Sequence, residues 1–267
     1  MRRILHLSDL HFGRIQPGTC EALERAIARL QPGITVVSGD LTQRARAAQF
    51  RPAAQLLARL PQPLLCVPGN HDVPLYDVFT RLLRPVARYR RWISSQVDTF
   101  FDDGTLAIAA LNTAHGWTSM HGRLTHAQCD AVTRHFRASR SALRVVVTHH
   151  PLDLPHEDEH PVPSLARAHL GGWIDEARAD LFLAGHLHRS RALLGPVRTS
   201  ARRRAVFTQA GTATSDRHSG YGNAFNFIRT DGDSIELEHW HSDVPGAGFS
   251  LRSVHRFERA PEGWRTP

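Results

Sequence analysis

The chain has 267 residues, of which 41% are hydrophobic, enough for one large domain or two small ones. No apolar run reaches ~18 residues, so no membrane span is expected; Met1-Arg2-Arg3-Ile4 does not open a signal peptide, and the odd, scattered Cys20, Cys66 and Cys129 suggest no disulfide framework and a reducing, cytoplasmic location. The formal net charge is +8 and all 33 basic residues are arginine, a bias that looks like codon composition as much as a binding surface. The short clusters at Arg81 to Arg91 and Arg198 to Arg204 are sparser than a nucleic-acid face, so nucleic acid is not expected as a partner.

In chain order, Arg3 to Ser8 reads as a first strand, followed by Asp9 and His11. Thr19 to Leu30 is a helix, with Ala22, Leu23, Ala26, Ile27 and Leu30 at helical spacing, closed by Pro32-Gly33. Ile34 to Ser38 is a second strand with Gly39-Asp40 at its end, and Arg46 to Leu60 a second helix. Leu64 to Val67 is a third strand that breaks at Pro68-Gly69 and presents Asn70, His71 and Asp72. The β-α-β-α-β order argues for a parallel sheet with right-handed crossovers.

Pro74 to Phe101 is a basic amphipathic segment, helical and interrupted at Pro85. Two readings stand: a helix packed on the core with a solvated arginine face, or a lid or membrane-surface element beside the site. Leu106 to Leu111 is a fourth strand ending at Asn112. Thr125 to Ser139 is helical, with a Thr125/Gln128 capping box. Leu143 to Val147 is a fifth strand ending at His149-His150-Pro151, and Asp153 to His160 reads as a loop over the site. Ser164 to Ala177 is a helix and Asp180 to Ala184 a sixth strand ending at His186 and His188. Ala205 to Gln209, Ala224 to Arg229 and Ser234 to Trp240 read as antiparallel strands. The chain from Pro245 looks like a loose tail, so residues 1–244 are expected as the domain and 245–267 as its C-terminal tail.

Five strand ends therefore carry Asp9 and His11; Asp40; Asn70 and His71; His149; and His186 and His188. Carboxylate, imidazole and amide oxygen are ligands for divalent transition metals. Seven candidate ligands are too many for one tetrahedral ion and suit two ions with one carboxylate bridging. Each motif alone is ordinary: Gly-Asp is a turn, and a lone loop histidine is usually a surface residue. Five in this order, each closing an apolar strand, are not.

These blocks resemble the signature of calcineurin-like metallophosphoesterases over residues 4 to 188. The His149-His150-Pro151 form is most similar to bacterial phosphodiesterases of the cyclic-nucleotide type (class III). The resemblance implies an α/β four-layer αββα sandwich, with two mixed β-sheets flanked by helices. It implies that Asp9, His11 and His188 bind one ion and Asn70, His149 and His186 the other, with Asp40 bridging. His149 is preferred to His150 because the family's ligand stands two residues before the proline. The ions, Mn, Fe or Zn, would lie about 3.5 to 4 Å apart and supply a hydroxide that attacks phosphorus in line. His71 would be the catalytic general acid at the leaving oxygen, and Asp72 a structural acceptor.

The substrate is expected to be a small phosphate ester, a cyclic nucleotide or a small phosphodiester. Asn112, His115, His150 and Arg217 are its candidate contacts, Arg217 in the small-residue loop from Gly211 to His218. A lipid-linked pyrophosphatase of the UDP-diacylglucosamine type is the alternative, suggested by the amphipathic segment. That segment would then make peripheral membrane contact through residues 74–101. A nuclease and a metal-free scaffold rank lower, the scaffold because every ligand position is filled. Nothing in the sequence fixes the oligomeric state.

Overall fold

The computed structural model describes residues 1–118, 120–154, 167–197, 200–217 and 220–267. Most of the expected loop from Asp153 to His160, the start of the helix expected at Ser164, and the ends of the Arg198 and His218 stretches lie outside the described residues.

Alternating helical and strand patterns in the first third give β1 (Arg2–Leu7), α1 (Thr19–Leu30), β2 (Ile34–Val37), α2 (Ala47–Arg59) and β3 (Leu64–Cys66). The three strands pair in parallel, in the order β1-β2-β3. The five apolar residues expected on one face of α1 are all buried. They pack with α2 against Leu5, Leu7 and Val37 on the outer face of this sheet.

The amphipathic segment divides at Pro85 into α3 (Val78–Leu83) and α4 (Ala87–Trp92), because proline disfavours a continuous helix. The two halves differ in burial. α4 sinks Tyr89 completely, with its hydroxyl donating to the Cys66 carbonyl at 2.8 Å. α3 has no buried residue.

The second sheet holds β4 (Thr99–Asp102), β5 (Leu106–Leu111), β6 (Leu143–Thr148), β7 (Leu181–Ala184), β8 (Arg191–Gly195) and β9 (Ala205–Gln209), in the order β4-β5-β6-β7-β9-β8. Helices α5 (His126–Ala138) and α6 (Arg167–Ala177) cover its outer face. Thr125 caps α5 as expected: its Oγ1 accepts from Gln128 N at 3.2 Å, and Gln128 Oε1 accepts from Thr125 N at 2.9 Å.

The late strands do not form one antiparallel sheet. β9 runs parallel to β7 and is buried on both faces, the environment of a parallel strand. β10 (Asn223–Thr230) and β11 (Ser234–Ser242) cross to the first sheet, where β10 pairs antiparallel with β1. The expected loose tail is also corrected. Residues from Ser250 form β12 (Ser250–Ala260) and β13 (Gly263–Arg265), completing a seven-stranded sheet, β13-β12-β11-β10-β1-β2-β3. Trp264 is fully buried and donates from Nε1 to Asp180 Oδ1 at 3.0 Å.

A shared core between the sheets joins Ile4, Val36 and Ile228 to Ile108, Val145 and Val206. The architecture is the expected α/β four-layer sandwich of two mixed sheets flanked by helices. It brings the carboxyl ends of β1, β2, β3, β6 and β7 to one edge: Asp9 N donates to Gly39 O at 3.0 Å and Gly185 N to His149 O at 3.0 Å. Cys20, Cys66 and Cys129 are unpaired. Among the described residues no helix is long and apolar enough to cross a membrane.

Candidate metal centre

Leaving these strands, the backbone turns into the left-handed region at non-glycine residues. Of eight such positions among the described residues, five are Asp9, His11, Asp40, His186 and His188, with φ between 48° and 73°. Each costs roughly 1 to 2 kcal/mol for an L-residue. Such strain persists where surrounding structure imposes it, and its clustering points to function. Two glycines make the close approach possible. A Cβ on Gly39, at φ 98°, would stand 2.7 Å from His149 Nδ1, and one on Gly69 would overlap Asp40 Oδ1.

The first cluster is Asp9, His11, Asp40 and His188, whose ligand atoms all lie within 4.8 Å of one another. His11 Nε2 is 3.0 Å from His188 Nε2, and Asp9 Oδ1 is 3.1 Å from His188 Nε2 and 3.6 Å from His11 Nε2. Ligands ~2.0–2.2 Å from one ion stand about 3 to 3.6 Å from each other, so these separations fit a shared cation. Asp9 Oδ1 is buried and makes no hydrogen bond among the described residues, a costly state for a carboxylate that a cation relieves.

In the second cluster, Asn70 Oδ1 lies 3.0 Å from His149 Nε2 and 3.1 Å from His186 Nδ1. Asp40 Oδ2 is 3.4 Å from His149 Nε2 and 3.8 Å from His11 Nε2, so this one carboxylate faces both clusters. Two of the other ring nitrogens are tied down: His149 Nδ1 sits 2.8 Å from Ser38 O and His188 Nδ1 2.6 Å from Arg217 O. Such bonds aim the opposite nitrogen at a metal. Asp40 Oδ1 accepts from His71 N at 2.8 Å and Asp9 Oδ2 from His186 N at 3.0 Å.

Burial by itself would raise both carboxyl groups, yet His188 and His11 hold Asp9, and His149 and His71 hold Asp40, below the usual carboxylate range. Against its own burial, His149 is drawn up to about 9 by Asp40. Burial and the charge of His149 push His186 down to about 3. Ionised carboxylates, imidazoles that release a proton when a cation binds, and an amide oxygen, all buried or nearly so, form a donor set suited to divalent transition metals.

Above the clusters opens a cavity of about 480 Å³ with Asn70, His71, His186 and His188 at its base and Arg44, Arg81, Arg189 and Arg217 around it. His71 Nδ1 lies 2.9 Å from Gln43 O and 3.1 Å from Arg44 Nη1, and Nε2 lies 2.9 Å from Arg217 Nη1; in the tautomer with its proton on Nδ1, Gln43 O accepts that proton and Nε2 accepts from Arg217. Arg44 Nη1 also donates to Gln43 O, at 2.9 Å. Among the described residues none of the four arginines has a carboxylate partner.

Of the expected substrate contacts, Arg217 lines this cavity. Asn112 and His115 line a separate cavity of about 550 Å³; Asn112 Oδ1 accepts from Ala114 N at 2.9 Å, turning the strand end away from the ligands. His150 is 1% exposed. Its Nδ1 is 2.7 Å from Thr113 Oγ1 and its ring 4.6 Å from that of His186. His149, His150 and His186 have ring nitrogens within 4.8 Å of one another, so His150 stands within the second cluster rather than at the mouth. Asp72 is the buried acceptor expected of it: Leu41 N, Thr42 N, Thr42 Oγ1 and Gly69 N all donate to it at 2.9 to 3.1 Å. Sequence reading missed Gln43, Arg44 and Arg189. Each stands one to four residues beyond a recognised ligand, Asp40 or His188, on the loop that ligand begins.

The sequence model of the family described as calcineurin-like phosphoesterase matches residues 2–190. The glycerophosphodiester phosphodiesterase GpdQ of Enterobacter lignolyticus (strain SCF1) is 32% identical over 94 residues, 31% of this chain. The match spans 33% of that relative's length. Among solved structures, purple acid phosphatase PPD1 from yellow lupin (Lupinus luteus) superposes with a TM-score of 0.72 at 13% identity, over 100% of this chain and 56% of that one. PhoD gives 0.74 at 12% identity, over 99% and 71%. A dimetal phosphatase from Danio rerio gives 0.61 at 12% identity, over 91% and 97%. These structural likenesses show the shared fold.

Proposed function

The chain belongs to the calcineurin-like phosphoesterase family, and from that premise we propose that it hydrolyses phosphodiesters with two divalent cations. The observation that carries the reading is the pair of ligand clusters joined by Asp40 at the base of an arginine-lined cavity. Asp9, His11 and His188 would hold one ion, and Asn70, His149 and His186 the other. Bound there, such a pair clamps phosphoryl oxygens and makes water nucleophilic at neutral pH.

The chain's own groups supply the rest. Arg217 offers a bidentate guanidinium to a phosphate oxygen. Without an anion it donates to His71 Nε2. An arriving phosphate draws Arg217 away, and Nε2 is then free to take a proton from solvent and pass it to the leaving oxygen. Gln43 O keeps the other proton on Nδ1, so imidazolium formation places the mobile proton at the cavity side. A proton donor matters most when the leaving group is an alkoxide, as in a diester. The relative named as a glycerophosphodiester phosphodiesterase supports a diester as substrate, whether a cyclic nucleotide or a small open ester.

The test is turnover of bis-p-nitrophenyl phosphate, p-nitrophenyl phosphate, 3′,5′-cAMP, 2′,3′-cAMP and a glycerophosphodiester by protein reconstituted with Mn, Fe or Zn. Turnover of the alkyl diesters that Asn70→Ala and His71→Ala each lower by about 100-fold or more is expected, with a smaller His71→Ala loss on bis-p-nitrophenyl phosphate. Absence of turnover on every substrate with metal bound contradicts the reading.

A further inference from the structure

Helix α3 and its approach carry large apolar side chains that are exposed among the described residues. Tyr76 is 74% exposed, Val78 59%, Phe79 81% and Leu83 71%. A second loop joins them: Gly116 is packed so tightly that a Cβ there would overlap the Arg81 carbonyl. Arg81 fixes the contact by donating to Pro74 O at 3.2 Å and to Thr118 O at 2.5 Å. This sets Trp117 and Met120, 76% and 54% exposed, beside α3. Leu75, Arg81 and Met120 belong both to this patch and to the lining of the metal cavity. Contiguous exposed apolar surface of this kind marks an interaction site.

Charge identifies the occupant. Between Leu75 and Trp92 the sequence holds Arg81, Arg84, Arg88, Arg90 and Arg91 against a single carboxylate, Asp77. Arg88 already pairs with it at 2.8 Å, and Arg84, Arg90 and Arg91 are exposed. A second copy of the chain would bring two like-charged faces together. A layer of anionic headgroups satisfies the arginines while its acyl boundary takes the aromatic and aliphatic side chains. We propose that α3, with Trp117 and Met120 beside it, docks on an anionic lipid surface and holds the mouth of the metal cavity against it. Docking uses side chains outside the ligand clusters, so it stands or falls apart from the proposed hydrolysis.

The experiment is co-sedimentation of the full chain with vesicles of phosphatidylcholine alone and of phosphatidylcholine with phosphatidylglycerol. Binding to the phosphatidylglycerol vesicles, weakened by salt and absent with phosphatidylcholine alone, is expected. The double variant F79E/L83E is expected to lose about tenfold or more in vesicle affinity while turning over bis-p-nitrophenyl phosphate like the parent. The proposal is overturned if the parent binds neither vesicle, or if F79E/L83E binds as the parent does. It is equally overturned if light scattering shows a parent dimer that F79E/L83E splits, since the patch is then a contact between copies.

Discussion

Arg217 connects the substrate side of the cavity to His71, so its replacement separates binding from proton delivery. Arg217→Ala is expected to lower kcat/KM for a glycerophosphodiester, which expels an alkoxide, by about tenfold or more, with a smaller loss for p-nitrophenyl phosphate, whose leaving group needs no proton. Steady-state kinetics on both substrates checks it. Asp72 acts through structure. Both its oxygens face only N–H and O–H donors, so Asp72→Asn turns an amide against two of them and is expected to cost about 1 to 3 kcal/mol in urea unfolding. The ligand-type residues were legible because each sits where an apolar strand stops, and a strand end is visible in one dimension. Gln43, Arg44 and Arg189 were not. Their place at the cavity depends on how a loop doubles back after the left-handed turns at Asp40 and His188, which residue type does not announce. The distal pair Asn112 and His115 shows the converse: a polar strand end need not face the site.

Among the elements, β12 and β13 were the least legible. The stretch from Ser250 to Ala260 is mostly polar, and within it only Phe257 is buried. It is held by a backbone ladder to β11, which leaves no apolar alternation to read. Trp264 of β13 anchors the end of the chain, so Trp264→Ala is expected to destabilise the fold by about 3 to 5 kcal/mol in urea unfolding. β11 carries a pH-dependent liability. His239 is 4% exposed, and burial, with the neighbouring His255 and His241, pushes it down to about 3 from an ordinary 6.5. The folded state keeps it neutral while the unfolded chain protonates it below 6.5. Stability is therefore unaffected above about pH 6.5 and falls as pH drops from there toward 3, by up to about 1.4 kcal/mol per pH unit. His239→Gln removes this proton uptake and is expected to flatten that acid limb in urea titrations at successive pH values. The segment from Pro74 to Phe101 was read correctly as broken at Pro85. The different fates of its halves come from Tyr89, whose hydroxyl reaches Cys66 O and commits α4 to the core, while α3 has no such anchor.

Across the whole molecule, the two sheets stack so that strand ends distant in sequence meet at one edge, and Asp40 is the residue that both groups of ligands face. A parallel sheet was readable from the alternation of helix and strand in the first third of the chain, and the four-layer arrangement from the resemblance to a family. The crossing of β10 back to β1 was not, because pairing partners far apart in sequence leave no local mark. The account stands on two cations sharing Asp40. Its most direct test is metal content by mass spectrometry of the reconstituted parent and of Asp40→Ala, with diester turnover measured on the same samples. The account predicts about two ions per chain in the parent, at most one in Asp40→Ala, and diester turnover lowered by about 100-fold or more. A parent that retains only one ion while active, or an Asp40→Ala protein that keeps both ions and full turnover, would contradict it.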